Sequence, residues 1–108
     1  MASSREYLQF ILEQLSELED IGHRAMMREY IIYYRGKVAG GIYDDRLLVK
    51  KVDAAVRYMP SAVSEPPYER AKDMLVVDNV DDKQYLTGLF EAMYPELPEP
   101  KPKNKKKS

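Results

Sequence analysis

Side chains able to carry acid–base or ligand chemistry are few in this sequence and poorly grouped. His23 is the single histidine, and cysteine is absent, which excludes disulfides and thiolate metal sites. As a general base, His23 needs a nucleophile or an acid at a set spacing, and none stands beside it; a lone imidazole also makes a poor metal site. The acid clusters are Asp44-Asp45 and Asp78 with Asp81-Asp82. Neither has the Asp-x-Asp-x-Asp-Gly spacing with a later Glu that surrounds calcium with oxygens, and turn formation and helix capping account for both. Gly36, Gly40, Gly41 and Gly88 lack the Gly-x-Gly-x-x-Gly or Gly-Lys-Ser/Thr context of a phosphate-cradling loop. The expectation is a protein without catalytic residues, metal, cofactor or evident small-molecule substrate.

Chemistry of recognition is better represented. Nine tyrosines stand against two phenylalanines, and Tyr30, Tyr33, Tyr34 and Tyr43 concentrate in one stretch. Half-buried sheet packing accounts for them; so does an amphipathic face for a partner, because tyrosine is enriched at interfaces. Alternation along a strand puts Tyr30, Ile32 and Tyr34 on one side and Ile31 with Tyr33 on the other. Both sides then need cover, which a protein partner or a second copy in a homodimer provides. These four tyrosines are the expected partner-binding residues. Arg24, Arg28, Arg35, Lys37, Arg46, Lys50 and Lys51 put seven cations in or near the same stretch, either as a solvated face or as an anion patch.

Charge is unevenly placed. The formal net charge is −1, yet Lys101, Lys103, Lys105, Lys106 and Lys107 crowd the C-terminus, and the residues before them carry 12 Lys and Arg against 18 acids, a net of −6. A body this acidic repels a phosphate backbone on average, so nucleic-acid binding, the alternative reading, has to use those five lysines or a local patch. No run of eighteen apolar residues and no signal-peptide pattern occur, so the sequence points to a cytoplasmic protein without a membrane segment.

The elements that must position these groups follow from periodicity. Ser3-Ser4-Arg5-Glu6 has capping-box spacing, and Tyr7, Leu8, Ile11, Leu12, Leu15 and Leu18 form a helical stripe that Gly22 is expected to stop. Tyr30–Tyr34, Val38–Tyr43 and Arg46–Lys50 read as a three-strand meander with turns at Arg35-Gly36 and Asp44-Asp45, and Gly40-Gly41 marks a bulge or a close backbone approach. Asp53 is expected to cap a short helix closed by Pro60, and residues 61–67 to form a loop. Tyr68–Arg70 and Met74–Val77 read as a hairpin, and Asp81 with Gln84 as a capping box for a last helix ended by Pro95. The fold class is therefore α+β: an antiparallel sheet of about five strands, meander plus hairpin, packed by N- and C-terminal helices. Residues 1–94 form the domain, and residues 95–108 a disordered Pro/Lys-rich tail.

Arg24-Ala25-Met26-Met27, Tyr30 through Val38, Leu47 through Asp53, and Pro67-Tyr68-Glu69-Arg70, in this order of elements, resemble the TfoX (Sxy) N-terminal domain family over roughly residues 5–94. Met27-Arg28-Glu29 stands where that family often has Phe-Gly-Gly. The resemblance implies an α+β domain associated with regulation of competence genes and brings no catalytic signature with it. A non-enzymatic interaction or regulatory domain is the expectation, with an unrecognised enzyme using scattered acids and tyrosines as the last alternative.

Overall fold

Residues 4–27 and 29–98 are described by the structure, a computed structural model. Helix α1 (Arg5–Gln14) starts where the Ser4 hydroxyl accepts from the Tyr7 amide, one residue later than the capping box predicts. It also stops seven residues before Ile21. Leu15 donates to the carbonyls of both Ile11 and Leu12, Leu18 donates to Leu15, and Asp20 takes a positive φ of 57°. The leucine stripe thus continues into the core through tight turns. Ile21–Met26 then forms strand β1, so His23 lies inside a strand.

Strands β2 (Glu29–Tyr34), β3 (Lys37–Ile42) and β4 (Leu47–Lys50) continue the meander. Both expected turns are present. Arg35 and Gly36 have φ of 53° and 85°, and Asp44 and Asp45 both 56°, the paired positive values of a two-residue hairpin turn whose twist matches the strands. Helix α2 (Asp53–Tyr58) follows. Asp53 does not cap it: Val52 is the N-cap, and the distant Glu96 carboxylate accepts from the Ala54 amide at 2.7 Å. The expected hairpin strand at Tyr68–Arg70 is a turn. The partner of β6 (Met74–Val76) is instead β5 (Ser64–Glu65), inside the segment expected to be a loop. Helix α3 (Lys83–Met93) is capped by Asp82 rather than Asp81.

The result is an α+β fold with a six-stranded antiparallel sheet in the order β1-β2-β3-β4-β6-β5. Leu8, Ile11 and Leu15 of the α1 stripe and Leu86, Leu89, Phe90 and Met93 of α3 close on Ile32, Ile42, Leu47, Val49 and Leu75 in one core. Among the described residues, the other face carries no helix. Leu48, paired with Gly41 and Val76, is fully buried there yet outside that core.

Gly40 and Gly41 serve both expected purposes. A register shift between Ile32 and Tyr33 leaves Ala39 as the extra residue, and a Cβ on Gly40 would collide with the Leu48 backbone carbonyl. A Cβ on Gly41 would lie 2.7 Å from the Tyr43 ring, so the missing side chain is what lets Tyr43 fold back over the strand. Order also extends past residue 94. Tyr94–Glu96 forms a 3-10 turn, the Tyr94 ring packs 5.3 Å from Tyr34 and accepts the Lys37 ammonium at 4.3 Å, and Leu97 is 4% exposed.

Two measurements check this packing. Gly40→Ala should lower stability in urea unfolding by about 1–3 kcal/mol, because backbone must shift, while Gly22→Ala, with open space around it, should stay within about 0.5 kcal/mol. Ending the chain after Tyr94 should cost about 2–4 kcal/mol, from Leu97 burial and the α2 cap; ending it after Pro98 should cost less than about 0.5 kcal/mol.

Candidate interaction surface

Paired residues share a face and neighbours alternate, so the strand register assigns each expected partner-binding tyrosine to a side. Tyr30 and Tyr34 sit on the helix-covered face. Tyr34 is 6% exposed, against Phe90 and Tyr94, and it drops out as a surface residue. Tyr30 is half-buried against the same core, with the exposed His23 ring 6.4 Å away. Tyr33 is half-buried on the opposite face. Tyr43 also lies on that face but is only 8% exposed: it is a wall, with Tyr68 tilted against it at 6.1 Å. Burial raises the Tyr43 phenol pKa, with smaller upward contributions from Tyr68 and the Glu29 carboxylate, so the ring stays neutral wherever a phenol ordinarily would.

Tyr43, Tyr68, Met26, Met27 and Glu29 enclose an apolar hollow of about 390 Å³ on the helix-free face. It lies at the end of β1, an edge strand paired only with β2. Met27 is 88% exposed and Met26 also lies open. Sequence reasoning missed Met26, Met27 and Tyr68 as surface candidates. The available signal was two adjacent methionines at a strand end, since flexible thioethers suit adaptable binding surfaces.

On the far side of Tyr68 lies a second groove of about 500 Å³. Lys50 at the end of β4 and Lys51 just after it border the groove, with Lys72 and Asp73 from the loop before β6 and Glu96 and Pro98 from the C-terminal segment. The expected seven-cation patch is otherwise dispersed. Arg35 stacks with Lys37 on Tyr94, and Arg46 pairs with Glu65 at 2.7 Å. Arg24, exposed on β1, makes no ion pair among the described residues. Arg28 and the lysines at 101, 103, 105, 106 and 107 lie outside the described residues.

The acid clusters are structural. Asp44 and Asp45 form the β3–β4 turn, and Asp45 accepts from the Ser4 amide at 2.7 Å. Asp82 caps α3, and Asp78 accepts from the Tyr85 hydroxyl at 2.6 Å. Burial, then this bond, pushes the Tyr85 phenol pKa well above its usual value. Among the described residues, no three His, Asp or Glu side chains converge as a metal site, and no helix is long and apolar enough to cross a membrane.

No family model and no solved structure matches this chain. It is similar to the uncharacterized 12.7 kDa protein in the trpE 5′ region of Spirochaeta aurantia, 31% identical over 107 residues, which cover 98% of this chain and 93% of that protein. The match spans both grooves, the edge strand and nearly all of the C-terminal segment, and the chain belongs to one family with that Spirochaeta aurantia protein.

Proposed function

We propose that this protein is a non-enzymatic interaction domain, of the kind the TfoX N-terminal resemblance implies, that takes up an extended segment of a partner protein along β1. The observation that carries this reading is the apolar hollow at the end of a free edge strand. A partner strand added to β1 satisfies backbone groups that the sheet leaves open, while a side chain entering between Met26, Tyr43 and Tyr68 supplies specificity. Exposed methionines tolerate different apolar side chains at that point.

Charge favours a different protein over a second copy. Arg24 shares the helix-free face with Met26 and with Glu29 opposite it, and makes no ion pair among the described residues. Antiparallel pairing of two β1 strands brings His23 and Arg24 of one copy against those of the other, and β1 itself carries no carboxylate. An extended acidic and apolar segment does both jobs. The resemblance of Arg24–Met27, Tyr30–Val38 and Leu47–Asp53 to the TfoX N-terminal family implies a regulatory setting, transcriptional or competence-related, inside the cell.

The test is titration of the isotopically labelled protein with two synthetic ten-residue extended peptides, one alternating leucine with aspartate and one leucine with lysine. The acidic peptide should shift the amide resonances of residues 21–27 and of Tyr43 and Tyr68, and Arg24→Glu should weaken it about tenfold or more while leaving the unfolding midpoint in place. Equal binding of both peptides, shifts confined to the helices, or a dimer in sedimentation that Arg24→Glu dissolves would each overturn the reading.

A further inference from the structure

The rim of the apolar hollow is built from the side chains of this protein that a peroxide attacks most readily. We propose that Met26 and Met27 form a modification site, at which a peroxide converts the thioethers to sulfoxides and thereby closes the hollow to apolar groups. The modification stands by itself, and its consequence for partner binding rests on reading the hollow as the place where a partner's side chain enters.

Exposure singles these two residues out. Met59 and Met93 are buried in the core, and Met74 is half-buried in β6. Met26 is 38% exposed and Met27 88%, so an oxidant dissolved in water reaches their sulfur atoms first. No thiol competes for it, because the chain has no cysteine. Packing gives no other reason for methionine at position 27. Its φ is 53°, left-handed backbone that suits glycine or asparagine better, and a side chain left in water adds little by burial.

The step balances without help from the rest of the chain. A sulfur lone pair attacks one peroxide oxygen, and the S–O bond forms as the O–O bond breaks. The second oxygen leaves as hydroxide and takes the proton of the first, giving water. Sulfur loses two electrons and the peroxide gains them. The return requires a dithiol supplied by another protein, a sulfoxide reductase, which passes two electrons to sulfur, ends as a disulfide and releases the oxygen as water.

Oxidation changes what the hollow offers. Its walls are the two thioethers and the rings of Tyr43 and Tyr68, with the Glu29 carboxylate as the charged member. In the reduced form the flexible thioethers adapt to an apolar group. A sulfoxide places a strong hydrogen-bond acceptor on the same rim. An apolar group that enters then strips water from that oxygen at a cost in free energy, and the Glu29 carboxylate, an acceptor itself, does not offset the loss. The volume of about 390 Å³ stays in place while its affinity for apolar groups falls.

The test treats the full chain with hydrogen peroxide and follows it by tryptic mass mapping. Cleavage at Arg24 and Arg28 isolates both residues on the peptide 25–28, apart from Met59, Met74 and Met93. Sulfoxide should accumulate on that peptide about tenfold faster, or more, than on those carrying Met59 and Met93. Protein oxidised to that point, with its urea midpoint unchanged, should show shifted Tyr43 and Tyr68 amide resonances. It should also bind the neutral apolar dye N-phenylnaphthylamine, and the leucine–aspartate peptide, about tenfold more weakly. A methionine sulfoxide reductase with dithiothreitol should restore both affinities. The volume-conserving double variant Met26→Leu, Met27→Leu should bind like the parent and ignore peroxide. Equal oxidation of Met59 and Met93, an untreated chain that takes up no dye, an oxidised chain that binds dye as before, or a leucine variant that loses affinity on treatment would each overturn the site. Uptake of dye but not of peptide by the untreated chain, with dye uptake lost on oxidation, removes the partner reading and upholds the modification.

Discussion

Two adjacent residues without side chains hold the centre of this sheet. At Gly40, on the face toward the helices, the missing Cβ leaves room for the Leu48 carbonyl of the neighbouring strand. At Gly41, on the opposite face, it leaves room for Tyr43, which folds back across the strand it has just left. The bulge at Ala39 sits directly before them, where the extra twist turns β3 toward β4. Any larger side chain at either place forces β3 and β4 apart or expels Tyr43. Because Tyr43 is the common wall of the helix-free face, the surface available for recognition follows from the same pair of glycines that lets the core close.

The C-terminal segment links the packing to the grooves. After α3 the chain turns through Tyr94–Glu96, with Tyr94 placed between Tyr34 and the cations Arg35 and Lys37. Glu96 reaches α2, where it does for the Ala54 amide what an N-cap side chain ordinarily does, and it pairs with Arg57. Leu97 then enters the core and Pro98 emerges at the Lys50 groove. A composition rich in proline and charge conceals this. One leucine and one glutamate, each with a defined partner, order the segment against the general expectation for such sequences.

The parts of the fold legible in the sequence are those where a local rule has one physical solution. Arg35-Gly36 and Asp44-Asp45 are readable as hairpin turns because glycine and aspartate, which tolerate positive φ, sit between strand-like runs. The stripes of α1 and α3 are readable from their spacing. The end of α1 is not, because Leu15 and Leu18 stay buried whether the chain continues as a helix or as tight turns, and burial is all that periodicity records. The cap of α2 is not, because its donor's partner lies 42 residues away. Tyr68 carries β-forming chemistry but stands in a turn, since β6 finds its pairing at Ser64–Glu65 instead. The tyrosine-rich stretch marked the right region while hiding the division within it. Strand alternation separates Tyr30 and Tyr34 from Tyr33, but only the packing of α3 and Tyr94 shows that Tyr34 is spent on the core. Lys72 lay outside the expected cation patch because loop and strand meet only in three dimensions.

The two faces of the molecule differ in both shape and charge. Helices α1 and α3 cover one face, except at the β1 edge where His23 stays exposed, and carry exposed acids outward. The other face has no helix among the described residues, and its apolar residues are sheltered by Tyr43, Tyr68 and the loop before β6. That arrangement buries Leu48 fully yet leaves hollows on either side of Tyr68, because a single loop cannot fill the space that a helix would. One hollow is lined by thioethers and aromatic rings beside an open strand edge, and the other by ammonium groups where the chain departs. Tyr68 belongs to both. Its ring is tilted against Tyr43 on one side and borders the lysine-lined groove on the other, so the shape of both hollows depends on the same side chain.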